Sequence, residues 1–383
     1  MQNETALLTG NAAVAEGDAK LEGIGFRRSA RDPQYNARLV EAAHVWEDAM
    51  YGGGVDGIKA RATLAEALTT SDFPILLGAV FDKELLAQYQ QITPVWTQYA
   101  RRSVVRDFRP KSLVDLLGGQ GILDPVGQGV EYPARKLSEA KYELTVGKRG
   151  ARIPLTWEMV VNDDLDAFRD LPERLAQGAR DTESHTAVSQ LVNASGVNTA
   201  FFNSANGNAP TSLALTADNL DQAITAVSTR KDSEKRPIVI PGFVLLVPPA
   251  LETQALRIVN ATEFELTDAA TGQKLRVGNY LRGKVTVVVD PWLTVVATDN
   301  KAATRWFLLP APTTPRPAVT VGFLRGHEDP DLRVKSATGA RVGGGAIDPR
   351  EGDFDDDTVQ YRVRHVVGGA TTEPIGTYVS NGS

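Results

Sequence analysis

The chain has 383 residues, 41 basic and 47 acidic side chains, a formal net charge of −6 and no cysteine. That length holds two or three packing units, and 42% hydrophobic with 23% charged residues is the balance of a folded protein rather than a disordered one. Absence of cysteine excludes disulfides, thiolate-held zinc, iron–sulfur clusters and cysteine nucleophiles, while the acidic balance argues against bulk nucleic-acid binding, which needs a basic face.

The first twenty residues lack the basic stretch and apolar core of a signal peptide. The most apolar run, Ile238–Leu251, spans 14 residues and is broken by Pro241, Gly242, Pro248 and Pro249, so it cannot cross a bilayer. A soluble, cytoplasmic chain is expected. Residues 1–60 read as an extended arm with one short helix around Ala37–Ala49. Between Asp72 and Gln91, Leu76, Leu77, Val80, Phe81, Leu85 and Tyr89 recur at helical spacing, with Asp72 as a cap. Residues 101–111 carry five basic side chains and one acid, and a glycine-bearing span, Gly118–Gly129, follows. Tyr142, Leu144 and Val146 alternate with polar residues, and a second strand is expected over Ala151–Trp157. Strands around so polar an excursion predict a protruding two-stranded loop.

Asn162–Phe168 reads as a separate helical turn. Asp170, with Pro172 in the first turn and Glu173 three residues on, opens the clearest helix. Its stripe of Leu171, Leu175, Ala179, Thr182, Val188, Leu191 and Val192 predicts about six turns, ending in the loop Asn193–Pro210. Thr216 starts a helix with Leu220, Ile224 and Val227 inward. Phe243–Val247 reads as a buried strand, Pro249–Val259 as a helix beginning on proline, and Val285–Val289 as a strand stopped by Asp290-Pro291. Strand Trp306–Leu309 is closed by the proline run Pro310–Pro317, which reads as a hinge. From Ala318 the pattern is β-like, with loops at Gly339–Gly345 and Glu351–Asp357. It ends on a strand with Val359, Tyr361 and Val363 on one face and Gln360, Arg362 and Arg364 on the other.

No motif carries a reaction. GNYLRGK (278–284) has the first seven positions of a phosphate-binding loop, but Val285 replaces the Ser or Thr that would hold magnesium and a strand follows instead of a helix. Gly118, Gly119 and Gly121 lack the strand–turn–helix unit of a dinucleotide site. EGDFDDD (351–357) puts five carboxylates in seven residues, yet Thr358 and Arg364 stand where a calcium loop needs glycine and glutamate. It reads as a solvated acidic turn or an inter-subunit partner for arginines ahead of a weak calcium or magnesium contact. His44, His185, His327 and His365 lack partners at metal or catalytic spacing, and there is no G-x-S-x-G elbow or H-E-x-x-H pair. No enzyme, metal or cofactor is expected. The basic segment Arg101–Lys111 has only Phe108 as an aromatic platform, so an ionic contact with an acidic neighbouring subunit is the better reading than nucleic acid.

The run SDFPILLGAVFDKELLAQYQ (71–90), VRDF (105–108), the stretch from Tyr132 through RIPLTWEMVVNDDLDAFRDLPERLAQGARDTE, and the ending YRVRHVVGGATTEPIGTY resemble major capsid proteins of tailed bacteriophages with the Hong Kong 97 fold. The likeness is greatest to the phage Mu major head subunit family. It implies an α+β fold with an N-terminal arm and helix (1–107), an extended loop (108–150), and a peripheral domain with a long spine helix (151–208 and 318–383). An axial domain with the proline-rich hinge (209–317) would complete it. The implied function is a self-assembling shell of hexamers and pentamers around double-stranded DNA, in the virion, built in the host cytoplasm. Portal, scaffold and decoration proteins are the implied further partners. Arg101, Arg102, Arg106 and Arg109 are expected at subunit contacts, opposite acids such as Asp353, Asp355, Asp356 and Asp357, and Lys136 and Lys148 are expected at contacts of the extended loop. An encapsulin-like compartment and an α/β enzyme centred on residues 211–312 are the alternatives.

Overall fold

The computed structural model describes Lys59 and residues 73–117, 138–156, 171–231, 240–267, 274–335 and 358–382. The expected helices at 37–49 and 162–168, the caps Asp72 and Asp170, and the loops at 118–129, 339–345 and 351–357 lie outside those residues, as does His44. Helices and strands are mixed along the chain, as the α+β expectation required. The chain divides into two compact units, residues 1–92, 148–180 and 325–366, and residues 93–147, 181–324 and 367–383.

In the first unit, helix α1 (Phe73–Gln91) buries Phe81, Leu85 and Tyr89, one residue per turn on one face. Strand β13 (Asp331–Val334) pairs antiparallel with β14 (Thr358–Thr371), Asp331 opposite Arg364 and Val334 opposite Tyr361. Asp82 of α1 accepts the Leu332 N–H at 3.1 Å, so a carboxylate satisfies a donor of that strand. Phe81 packs edge-on to Tyr361 at 6.0 Å and Tyr89 edge-on to His365 at 5.9 Å. Arg180, on helix α2 (Leu171–Val188), donates from Nε and Nη2 to the Tyr89 carbonyl at 3.0 and 2.6 Å. Its guanidinium lies 3.5 Å from the centre of the Tyr89 ring, so the last turn of α1 gains a cation where its carbonyls lack helical partners.

The second unit is organised by a four-stranded sheet in the order β10 (Val285–Val289), β7 (Phe243–Val247), β11 (Trp306–Pro310), β15 (Tyr378–Ser380). β10 runs parallel to β7, while β11 is antiparallel to both β7 and β15. Alternate residues serve two cores, which explains why FVLLV is apolar throughout. Phe243, Leu245, Val247, Trp306 and Leu308 face Leu220, Ala223 and Val227 of α3 (Ala217–Ser228) and Ala255 and Val259 of α4 (Glu252–Asn260). Val244, Leu246, Phe307 and Leu309 face Trp96, Leu191, Phe202 and strand β12 (Val319–Leu324). Thr216 caps α3 by accepting the Asn219 N–H, as its position predicts.

Two buried carboxylates hold the segment ahead of strand β1 (Arg101–Val105). Trp96 Nε1 donates to Glu183 of α2 at 3.0 Å, and Tyr99 Oη donates to Asp290 at the end of β10 at 2.9 Å. Arg305 forks onto Asp299 at 3.1 and 2.6 Å and donates to Asn381 at 2.8 Å, fixing the last described residues.

Several expectations need correction. The long helix stops at Val188; Leu191 and Val192 are buried, but in a turn and the short strand β5 (Val192–Asn193). Asn198 ends it, donating from Nδ2 to Gln190 O at 2.8 Å and from its N–H to Leu191 O at 2.9 Å. Pro249–Leu251 is a 3-10 turn, and the helix proper starts at Glu252. The strand of Tyr142 and Leu144, β3 (Ser138–Leu144), pairs with β2 (Lys111–Leu117), which lies where the basic stretch meets the glycine-bearing span and no strand is expected. β4 (Gly147–Thr156) pairs with β14 instead. β14 is not the last strand and does not end near Arg364: it runs through Gly368 and Gly369 to Thr371, and β15 follows.

Candidate subunit interface

The β2–β3 ribbon is a two-stranded sheet of its own, Lys111 opposite Leu144 and Leu117 opposite Ser138. Two strands alone do not bury enough to hold themselves, so what anchors the ribbon matters. Its root is seated on glycines. β1 pairs parallel with β12, and β12 pairs antiparallel with the end of β14, Gly322 opposite Gly368. A Cβ on Gly322 would meet Leu144 Cδ2 at 2.9 Å, and one on Gly368 would run into the Thr145 carbonyl and lie 2.8 Å from Val146 Cα. Gly369 leaves room for the Gln190 side chain in the same way, at 2.9 Å. Leu144 and Val146 are buried there, while Glu143 and Thr145 remain exposed. A strand glycine signals such close backbone approach, and VGFL and VVGGAT carried that signal unread.

β1 leads into the ribbon through an exposed corner, residues 106–110. Asp107 accepts the Arg109 N–H at 3.0 Å, a local turn made by the side chain. Lys111 Nζ reaches back to the Val104 carbonyl at 2.9 Å. The expected contact arginines part company here. Arg101 donates to the carbonyls of Pro312, at 3.3 Å, and of Thr314. Arg102 lies over the Phe323 ring, 4.8 Å from its centre. The guanidinium groups of Arg106 and Arg109 are exposed and make no hydrogen bond or ion pair among the described residues. Between them Phe108 stands 49% exposed. Lys148 is exposed at the start of β4; Lys136, Asp353, Asp355, Asp356 and Asp357 lie outside the described residues.

The remaining motifs are structural. Asn279 of GNYLRGK shares its two Nδ2 hydrogens among the carbonyls of Ile258, Val259 and Ala261, at 2.9, 3.0 and 2.8 Å, and accepts the Leu281 N–H at 2.9 Å. It therefore caps the C-terminal end of α4, and Gly283, at φ +83°, turns the chain into β10. His185 packs edge-on to Trp292 at 5.8 Å and His327 is exposed in the turn after β12. Among the described residues no three acids, histidines or cysteines gather as metal ligands, and no helix is long and apolar enough to cross a membrane.

Residues 140–380 match the family described as phage capsid protein. No curated protein matches the sequence. Among solved structures the chain is similar to the capsid of a native GTA particle, at 13% identity over 76% of this chain and 90% of that chain, with a TM-score of 0.43. It is also similar to the capsid of Helicobacter pylori bacteriophage KHP30, at 10% identity over 73% and 86%, with a TM-score of 0.44. An encapsulin complex from Synechococcus elongatus is similar at 12% identity over 77% and 89%, with a TM-score of 0.44. The family match takes in more than half of the chain, which therefore belongs to the phage capsid proteins. Its class of work is structural: a virion component that assembles with copies of itself into a shell.

Proposed function

We propose that this chain is the major head subunit of a tailed bacteriophage, of the Hong Kong 97 type and nearest the phage Mu head subunits. It forms the hexamers and pentamers of an icosahedral shell around double-stranded DNA. The observation that carries the reading is the family match over residues 140–380, joined by a ribbon that pairs with no other strand among the described residues. A ribbon of this kind is ordered by what it lies on, and in a shell that is a neighbouring subunit. Residues 108–150 act as the extended loop, 151–208 with 318–383 as the peripheral domain, and 209–317 as the axial domain around the five- and six-fold centres. The arm and helix, 1–107, cross to neighbours. Assembly takes place in the host cytoplasm with portal, scaffold and decoration proteins as further partners, and the enclosed DNA is held without sequence-specific contact.

The test is electron microscopy of the purified chain and of particles made in an infected host. Closed icosahedral particles, filled with double-stranded DNA in the infected cell, are expected. A chain that stays monomeric under all assembly conditions overturns the proposal, and particles filled with an enzyme cargo instead of DNA transfer it to the encapsulin-like compartments.

A further inference from the structure

We infer that the corner between β1 and β2 docks the acidic segment Glu351–Asp357 of a second copy of the chain, aromatic against aromatic and arginine against carboxylate; this rests on the shell reading above. The structure separates the arginines of this stretch into two kinds. Arg101 is committed to the carbonyls of Pro312 and Thr314, and Arg102 to the face of Phe323. Arg106 and Arg109 have no such use among the described residues, and they flank Phe108, which is 49% exposed. The corner is held in shape from within, since Asp107 takes the Arg109 N–H and Lys111 the Val104 carbonyl. A preformed turn that presents an aromatic ring between two uncommitted guanidiniums has the make-up of an interface centre, where aromatic and arginine side chains are enriched.

The sequence sets a phenylalanine between two carboxylates twice: in Glu263-Phe264-Glu265, whose backbone is already paired in a strand with Lys274–Gly278, and in EGDFDDD, which carries by far the denser charge. In EGDFDDD, Phe354 stands between Asp353 and Asp355, within five carboxylates over seven residues. RDFR and DFDD each hold one phenylalanine; in the first, Arg106 and Arg109 stand on either side of it while the intervening Asp107 is turned to the Arg109 N–H, and in the second carboxylates stand on both sides. Arginine forks pair with carboxylates through two parallel hydrogen bonds, which fixes register as well as sign. Like charges at the same place would reject a wrongly placed copy, so the contact sets specificity of assembly.

Charge exchange tests both the pairing and its placement between copies. One variant carries Arg106→Glu with Arg109→Glu, a second Asp353→Lys with Asp355→Lys, and a third all four. Every altered position at the corner is exposed, so the first variant is expected to keep the circular dichroism and melting temperature of the parent chain. Alone, each two-site variant is expected to form no particles. The four-site variant is expected to form them, and the two failing variants, co-expressed with different tags, are expected to co-purify in mixed oligomers, because each then offers the other a complementary surface. Normal particles from either two-site variant overturn the proposal. Rescue in the four-site chain with no co-purification of the two failing variants assigns the pair to a single chain and overturns its placement between copies. Failure of the four-site chain overturns the pairing and leaves DNA or another partner for the corner. If the parent chain itself forms no particles, the shell reading falls and this inference with it.

Discussion

Tyr99 donates its hydroxyl hydrogen bond to Asp290 Oδ2 at 2.9 Å, joining positions 191 residues apart. The second carboxylate oxygen accepts the Trp292 N–H at 3.0 Å, so the group is fully buried but used on both sides. Burial nevertheless dominates. It holds the Asp290 carboxyl above the ordinary carboxylate range despite those two hydrogen bonds, and pushes the Tyr99 phenol well up, with the Asp290 charge adding to it.

A raised carboxylate favours the folded state most when protonated. Its contribution is complete below the ordinary value of about 4 and is lost as the pH climbs through the raised folded value. Asp290→Asn keeps an acceptor for Trp292 and an N–H that the Tyr99 oxygen can accept. Urea unfolding across an acid-to-neutral series should therefore show the parent chain losing stability relative to the variant as the pH rises. Equal slopes in the two proteins would remove Asp290 as its source. Asp299 has the opposite sign: hydrogen bonds from Arg305 hold it below the ordinary range, so its share is lost as the pH falls. Asp299→Asn should flatten that acid-side loss.

Glu183 is 0% exposed in a helix whose other buried positions are small or apolar, and it receives the indole N–H of Trp96. Glu183→Ala strands that N–H in the core and opens a cavity, for a loss of about 2–4 kcal/mol. Glu183→Gln keeps an acceptor and should cost less than half as much. Chemical denaturation of both variants checks the ordering, and an equally large loss in the Gln variant would show that the charge, not the hydrogen bond, is what the core uses.

The strands at 243–247, 285–289 and 306–309 and the helices starting at 73 and 217 were legible because periodicity and caps act locally. β15 was not, since TYVS becomes a strand only by lying beside Trp306–Leu308. Nor was the partner of β3, which is chosen by register across residues 117–138 rather than by anything near Tyr142. The charge of Arg101 and Arg106 is equal in the sequence; only the fold sends one to Pro312 and Thr314 and leaves the other at the exposed corner. Gly368 carries no periodic signal because a missing side chain is also what a loop shows, whereas here the missing Cβ is the space that Thr145 occupies.

Asn279 supplies a direct check on the phosphate-loop likeness. With its two amide hydrogens shared among three carbonyls at the end of α4 and its oxygen accepting one N–H, the side chain is fully engaged in capping. Asn279→Ala should cost about 1–2 kcal/mol through uncapped carbonyls. Equilibrium dialysis of the parent chain against a nucleoside triphosphate with magnesium should show no binding. Saturable binding lost in Asn279→Ala would return the loop to a phosphate site.

Gly368 and Gly178 make a matched pair of glycine-to-alanine changes with opposite expected signs. A Cβ on Gly178, in the middle of α2, would meet nothing within 4 Å. Alanine there gains helix propensity and narrows the unfolded ensemble, so Gly178→Ala should stabilise by about 0.5–1 kcal/mol. At Gly368 the same methyl runs into the Thr145 carbonyl and comes within 2.8 Å of Val146 Cα, both of them backbone that cannot rotate aside. The ribbon root must lift off the sheet to admit it, at a cost of about 1–3 kcal/mol. Limited proteolysis separates this from a general loss of stability. Cleavage in 111–144 should accelerate in Gly368→Ala well beyond cleavage elsewhere, and particle assembly should fall with it, while Gly178→Ala assembles normally. Unchanged proteolysis of the ribbon in Gly368→Ala would mean that the root is held by something other than its seat on Gly322 and Gly368.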